Sequence, residues 1–297
     1  MVTRNTETEQ KTWRVLDLIN WTTGYLEEKG FDTPKSDVEW MLGEVLGCSR
    51  IDLYTDFAKP LTPGELSQFK ALLKERLTHK PVQYIIGNTE FMGFPFRVTD
   101  SVLIPRPETE LLVEHATDWL RGHSGEQRVL DIGTGSGCIG ISIARLADGV
   151  SVDAIDNSGD ALSLARENAE KNAVQGHVEL IRLDILRNDP PNLPYDLIVS
   201  NPPYVAGEEV GQLQEEIREF EPREALVAEG DDPYVFFRRF AEKGKNWLTG
   251  DGRMFLEIGG THQWETVSGI FREAGWSETA FHRDYNGQHR ILETTPS

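Results

Sequence analysis

The stretch RVLDIGTGSGCIGI, Arg128 to Ile141, passes from a short apolar run of strand type through three glycines into a second apolar run at helical spacing. Gly133, Gly135 and Gly137 alternate with Thr134 and Ser136. Glycine at these positions lets the backbone turn tightly and lets a ligand approach it, while the helix that follows presents unpaired N–H groups. Strand, glycine loop and helix in that order predict the first unit of an α/β fold with a nucleoside or dinucleotide bound at the loop.

The pattern repeats toward the C-terminus. SVDAID (151–156), HVELIRL (177–183), YDLIVS (195–200) and RMFLEIG (253–259) read as strands, and WSETAFH (276–282) and HRILET (289–294) as two short strands that close the sheet. Between them GDALSLARENAEKN (159–172), DPYVFFRRFAEKGKNWL (232–248) and THQWETVSGIFREAG (261–275) read as helices. Such alternation predicts a Rossmann-like, mostly parallel sheet of seven strands covered on both faces, with its ligand beyond the carboxyl ends of the strands.

Three of those ends carry candidate residues. Asp156 ends the second strand, where its carboxylate can accept from both hydroxyls of a ribose; its alternative role is a helix N-cap. Asp184 follows the third strand and reads as an adenine contact or as a turn residue. The fourth strand runs into SNPPY, Ser200 to Tyr204. Proline fixes its own φ, lacks an N–H and keeps the preceding residue extended, so this segment is stiff and its carbonyls are free for a ligand. A structural turn is the plain alternative. GSGCIG, Gly135 to Gly140, also fits the dinucleotide pattern G-x-G-x-x-G, but an oxidoreductase has no evident use for a rigid Asn-Pro-Pro-Tyr after its fourth strand. Methyl transfer to a planar amino group does. The Asn201 side-chain oxygen and the Pro202 carbonyl can accept the two N–H bonds of an incoming NH2, Pro203 shapes the wall, and Tyr204 stacks on the acceptor plane.

Upstream of residue 86 the chain reads as short helices. SDVE (Ser36 to Glu39) and TPGE (Thr62 to Glu65) are capping boxes, the second with Pro63 at the first helical position. FMGFPFRV (91–98) predicts a hairpin linking an N-terminal helical domain, 1–85, to a catalytic domain, 102–297, through residues 86–101. The net charge of −19 is divided unevenly, −2 over residues 1–85 and −17 over the rest. A polyanion would be repelled by that second part, which argues against nucleic acid as the partner. The acidity reads as a solubilising surface, with a basic partner as the alternative. No apolar run reaches membrane length and the first residues, MVTRNTETEQKTW, lack a signal-peptide core, so no membrane contact and a cytoplasmic location are expected. Two cysteines and seven histidines form no spaced cluster, so neither a disulfide nor a structural metal is expected.

VLIPRPETELLVEH (102–115), VLDIGTGSGCIGI, SLARENA, SNPPY, EFEPREAL (219–226) and RDYNGQHRI (283–291), in that order, resemble the peptide chain release factor glutamine methyltransferases, the HemK family. The Asn-Pro-Pro-Tyr motif alone is shared with adenine-amino methyltransferases acting on nucleic acid; its combination with IPRPETE is far more specific. The resemblance implies a class I, S-adenosylmethionine-dependent methyltransferase domain and an N-terminal helical domain that engages the release factor. It implies the glutamine of a GGQ motif as methyl acceptor. The cofactor residues are then Gly133, Thr134, Gly135, Ser136, Gly137, Asp156, Asp184 and Asn201; the acceptor residues are Asn201, Pro202, Pro203 and Tyr204, with Asn201 and Pro202 catalytic. Arg106 and Glu108 of IPRPETE either form a domain-linking ion pair or line the acceptor channel.

Overall fold

The computed structural model describes residues 12–228, 230, 232–260 and 262–296. The polar opening of the chain up to residue 11 therefore lies outside the described residues. Packing divides the chain into two units, Met1–Ile86 and Gly87–Ser297.

Among the described residues the first unit holds five helices: α1 (Val15–Glu28), α2 (Pro34–Leu46), α3 (Arg50–Thr55), α4 (Pro63–Arg76) and α5 (Val82–Ile86). Their apolar stripes meet in one core that includes Leu26, Met41, Leu42 and Phe69. Thr62 caps α4 as TPGE predicts, its hydroxyl accepting from the Glu65 N–H while the Glu65 carboxylate takes the Thr62 N–H. SDVE does not open α2. The helix begins three residues earlier, with Thr33 at the N-cap and Pro34 at the first position, where the missing N–H costs nothing. Asp37 is thereby turned inward, where it meets the buried guanidinium of Arg76 at 2.7 Å and ties α2 to α4.

The second unit opens with the hairpin β1 (Asn88–Phe91) and β2 (Phe94–Arg97), turned by Met92 and Gly93, both at positive φ. The hairpin is a packed part of this unit, since Phe91 and Phe96 are buried in its core. The helix α6 (Pro107–Arg121) follows, then β3 (Gln127–Ile132), α7 (Cys138–Leu146), β4 (Val150–Asp156), α8 (Gly159–Lys171), β5 (Val178–Arg182) and β6 (Tyr195–Ser200). A 3-10 turn (Gly207–Gln212) and two short helices, α9 (Glu215–Phe220) and α10 (Arg223–Leu226), precede α11 (Val235–Trp247), β7 (Leu248–Glu257), α12 (Trp264–Glu273), β8 (Glu278–Arg283) and β9 (His289–Thr295).

The seven-stranded sheet has the order β5-β4-β3-β6-β7-β9-β8, with β3 to β7 parallel and β9 antiparallel to both neighbours. Alternate residues feed two cores. Val129, Val152 and Val199 join Leu112 of α6 and Ile141 of α7 on one face; Leu130, Ile155 and Ile198 join Phe237 and Phe240 of α11 on the other. This is the arrangement that a mostly parallel sheet requires. Chain order reverses between β3 and β6, so the crevice beyond their carboxyl ends is the topological switch point. Ser200 closes its base, the hydroxyl donating to the Ile132 carbonyl at 2.7 Å.

Candidate active site

A cavity of about 500 Å³ opens at that switch point. It is lined from the ends of four strands, by Gly133 to Ser136 after β3, Asp156 at the end of β4, Asp184 after β5, and Asn201 to Pro203 after β6. The volume suits one nucleoside-sized ligand.

The glycine loop is held by backbone and carboxylate. Gly133 and Thr134 both donate to the Ile155 carbonyl, which draws the loop across the end of β4. Beneath it the buried Asp131 accepts from the Thr134 hydroxyl at 2.6 Å and the Gly140 N–H at 3.0 Å. Gly133 and Gly135 have positive φ, and a Cβ on either would enter open space, so the loop forms a cradle. Gly137 serves a different purpose. Its φ is +83°, and a Cβ there would stand 2.6 Å from the Ile141 side chain and 3.3 Å from Ala165, so glycine is needed to seat α7 against α8, and it does not line the cavity. Gly140 is likewise more than a weak helix former: its Cβ would meet the Asp131 carboxylate at 2.9 Å.

Asp156 accepts from the Gly135 N–H and the Ser158 N–H, both at 2.9 Å, and burial lifts its pKa above the ordinary carboxylate value. With the Asn157 N–H as a third backbone donor, the carboxylate keeps one lone pair for a ligand hydroxyl. Asp184 closes a turn by accepting from the Leu186 N–H at 3.0 Å and pairs with Arg187, yet it also lines the cavity. The glycine cradle, the acceptor-rich ends of β4 and β5 and the cavity volume together fit S-adenosylmethionine.

On the opposite side Asn201, Pro202 and Pro203 line the cavity, and Tyr204 does not. The Tyr204 hydroxyl donates to Glu257 Oε1 at 3.3 Å, and its carbonyl accepts from the Gln263 amide at 2.8 Å, so the ring packs behind the motif against the core beside β7. Sequence reasoning set this ring on the acceptor; the structure places it among the supports of the motif.

Arg106 lines the cavity and pairs with Glu221, which lies in the same unit, so the ion pair is not a link between domains. Glu108 stands half-buried in the first turn of α6. Two further residues of the site lie inside stretches quoted above, Thr109 in IPRPETE and Asn168 in SLARENA, but were given no role there. Thr109 of α6 donates to the buried Glu257 Oε2 at 2.7 Å and accepts from the Asn201 amide at 3.3 Å. Asn168, fully buried in α8, donates to the Ser136 carbonyl of the glycine loop at 2.8 Å, and exchanges hydrogen bonds with both backbone groups of Arg97 in the hairpin. The RDYNGQHRI segment builds the β8–β9 turn, where Asp284 accepts from the Asn286 and Gln288 N–H groups and pairs with Arg290.

Burial sets two carboxyls apart. It pushes Glu257 from 4.5 up to about 7 and Asp131 from 3.8 up to about 6, against the hydrogen bonds each accepts. The folded state thus holds these protons more tightly than the unfolded chain does. The associated stability is fully present below the unfolded pKa values and is lost as pH rises through the folded ones. Denaturation midpoints are expected to fall between about pH 5 and pH 8, with Glu257 contributing on the order of 3 kcal/mol of the change. Glu257→Gln should flatten its share of the slope, as urea titrations across that range will show; a midpoint rising with pH would contradict the assignment.

Residues 17–87 match the model of the PrmC N-terminal domain, and residues 107–231 match that of the methyltransferase small domain. Among curated proteins the chain is 45% identical over 257 residues to the release factor glutamine methyltransferase of Chlorobaculum tepidum, covering 84% of this chain and 87% of that one. It is 39% identical over 281 residues to the enzyme of the same name from Geobacter sulfurreducens, covering 94% and 96%. Among solved structures it is similar to the hMettl16 catalytic domain in complex with MAT2A 3'UTR hairpin 1, with a TM-score of 0.56 at 19% identity over 70% of this chain and 76% of that one. At that identity the likeness shows a shared methyltransferase fold alone.

Proposed function

The chain belongs to the release factor glutamine methyltransferases, and from that membership we propose that it transfers a methyl group from S-adenosylmethionine to the side-chain amide nitrogen of the GGQ glutamine in a peptide chain release factor. The helical first unit engages the release factor, the second binds cofactor and acceptor, and the enzyme works in the cytoplasm. Among the described residues no helix is long and apolar enough to cross a membrane.

One observation carries the chemical reading. Asn201 and Pro202 both line the cavity, and no donor among the described residues meets the Asn201 Oδ1 or the Pro202 carbonyl. An amide nitrogen is a poor nucleophile because its lone pair is delocalised, so positioning is the main task. Two acceptors side by side hold both N–H bonds of a primary amide, fix the nitrogen, and favour the positive charge that grows on it. Proline stiffness keeps them from relaxing. Bound S-adenosylmethionine supplies an electrophilic methyl on a sulfonium. No strong base is required of the protein, since the methylated nitrogen sheds its proton readily.

Labelled methyl from S-adenosylmethionine should pass to a purified release factor and not to duplex DNA, with incorporation lost when the GGQ glutamine is replaced by alanine. Label in DNA and none in the release factor would move the enzyme to the adenine-amino class.

A further inference from the structure

We infer that Thr109 is a positioning residue for methyl transfer, locking the Asn201 amide with its oxygen toward the cavity, and that Glu257 sets the direction of that lock. The inference rests on the acceptor role proposed above for Asn201 and adds the device that makes Asn201 an acceptor. A side-chain amide presents oxygen on one edge and NH2 on the other, and a half-turn exchanges them. Turned the wrong way, Asn201 would face an incoming NH2 with its own NH2.

The hydrogen-bond chain forbids that. Thr109 has one hydroxyl proton, and it is committed to Glu257 Oε2 at 2.7 Å in a buried contact. What Thr109 Oγ1 has left is lone pairs, so toward Asn201 it can only accept. The group 3.3 Å away is therefore Nδ2, and Oδ1 is left for the cavity. Glu257 is 1% exposed and is held on its other oxygen by the Tyr204 hydroxyl. When the carboxyl is protonated on Oε1, with Tyr204 then accepting, Oε2 stays bare for Thr109 as it does in the ionised state. Burying a carboxyl is costly unless it is hydrogen-bonded, and here its hydrogen bond gives the neighbouring hydroxyl a direction.

Thr109→Val keeps the shape and removes the hydroxyl. With a release factor as substrate, kcat should fall about tenfold while KM for the release factor and Kd for S-adenosylmethionine stay within about twofold. Thr109→Ser should restore most of the rate. In an Asn201→Ala background Thr109→Val should cost less than about twofold, because the group it positions is gone. A second measurement needs neither turnover nor a Thr109 variant: one side-chain amide proton of Asn201 in the wild-type protein should exchange with solvent at least about tenfold more slowly than that of a free asparagine amide. A wild-type enzyme that methylates the release factor beside a Thr109→Val enzyme of equal kcat would overturn the inference, as would two freely exchanging Asn201 protons. Absence of transfer by the wild type would count against the functional reading instead, and the exchange measurement would still decide the lock.

Discussion

Replacing Asn201 with alanine is expected to lower methylation of the release factor by about 10² to 10³, by analogy with the loss of one preorganised polar group from a transition-state site. S-adenosylmethionine should still bind, because the glycine cradle and Asp156 stand on other strands of the switch point. Truncation removes one of the two acceptors and leaves Pro202 to hold the acceptor nitrogen by a single hydrogen bond. It also releases Thr109 from its contact with the amide, so nothing in the network compensates. Asn201→Asp separates shape from charge. An aspartate retains an oxygen toward the cavity but sets a second oxygen against the Thr109 lone pairs, and activity should lie between those of wild type and Asn201→Ala. Single-turnover transfer with calorimetry of cofactor binding checks both variants. Nearly full turnover by Asn201→Ala would reduce the motif to a turn.

Asp156→Ala should weaken S-adenosylmethionine binding at least about tenfold, since each hydrogen bond to a charged acceptor is worth roughly 1.5 to 3 kcal/mol. The structure adds a second reason for a large effect. Asp156 also takes the Gly135 N–H, so its loss removes one of the ties that hold the cradle in shape. Titration calorimetry with wild type and variant tests this, and nicotinamide dinucleotides should give no heat with either. Unchanged affinity would remove Asp156 from the cofactor site.

The parts of the site that the sequence revealed are those written in one continuous stretch. The glycine loop, Asp156 and Asn-Pro-Pro-Tyr each sit where a strand stops, and strand periodicity locates those stops. Thr109 and Glu257 escaped because their contact joins residues 148 positions apart; Thr109 lies inside IPRPETE, but the motif does not show what its hydroxyl meets. Arg106 was singled out, but its partner could not be read for the same reason, as Glu221 lies 115 positions away. Tyr204 was misplaced because a motif gives order along the chain and not the direction of a ring. The expected cap at Ser36 failed on a nearer competitor, since Pro34 starts the helix first. Gly137 was read as a ligand contact because packing of α7 on α8 is invisible until both helices are in place.

Asn168 gives the catalytic unit a property that no single hydrogen bond suggests. Its amide satisfies the Ser136 carbonyl and both backbone groups of Arg97 at once, in a position closed to water. Letting any one of the three go leaves a donor or acceptor of the buried Asn168 amide unpaired, so opening of the glycine loop and opening of the hairpin are expected to be energetically coupled. The hairpin strand that ends at Arg97 is thus tied to the loop, and a disturbance at Arg97 is expected to be felt at the glycine cradle.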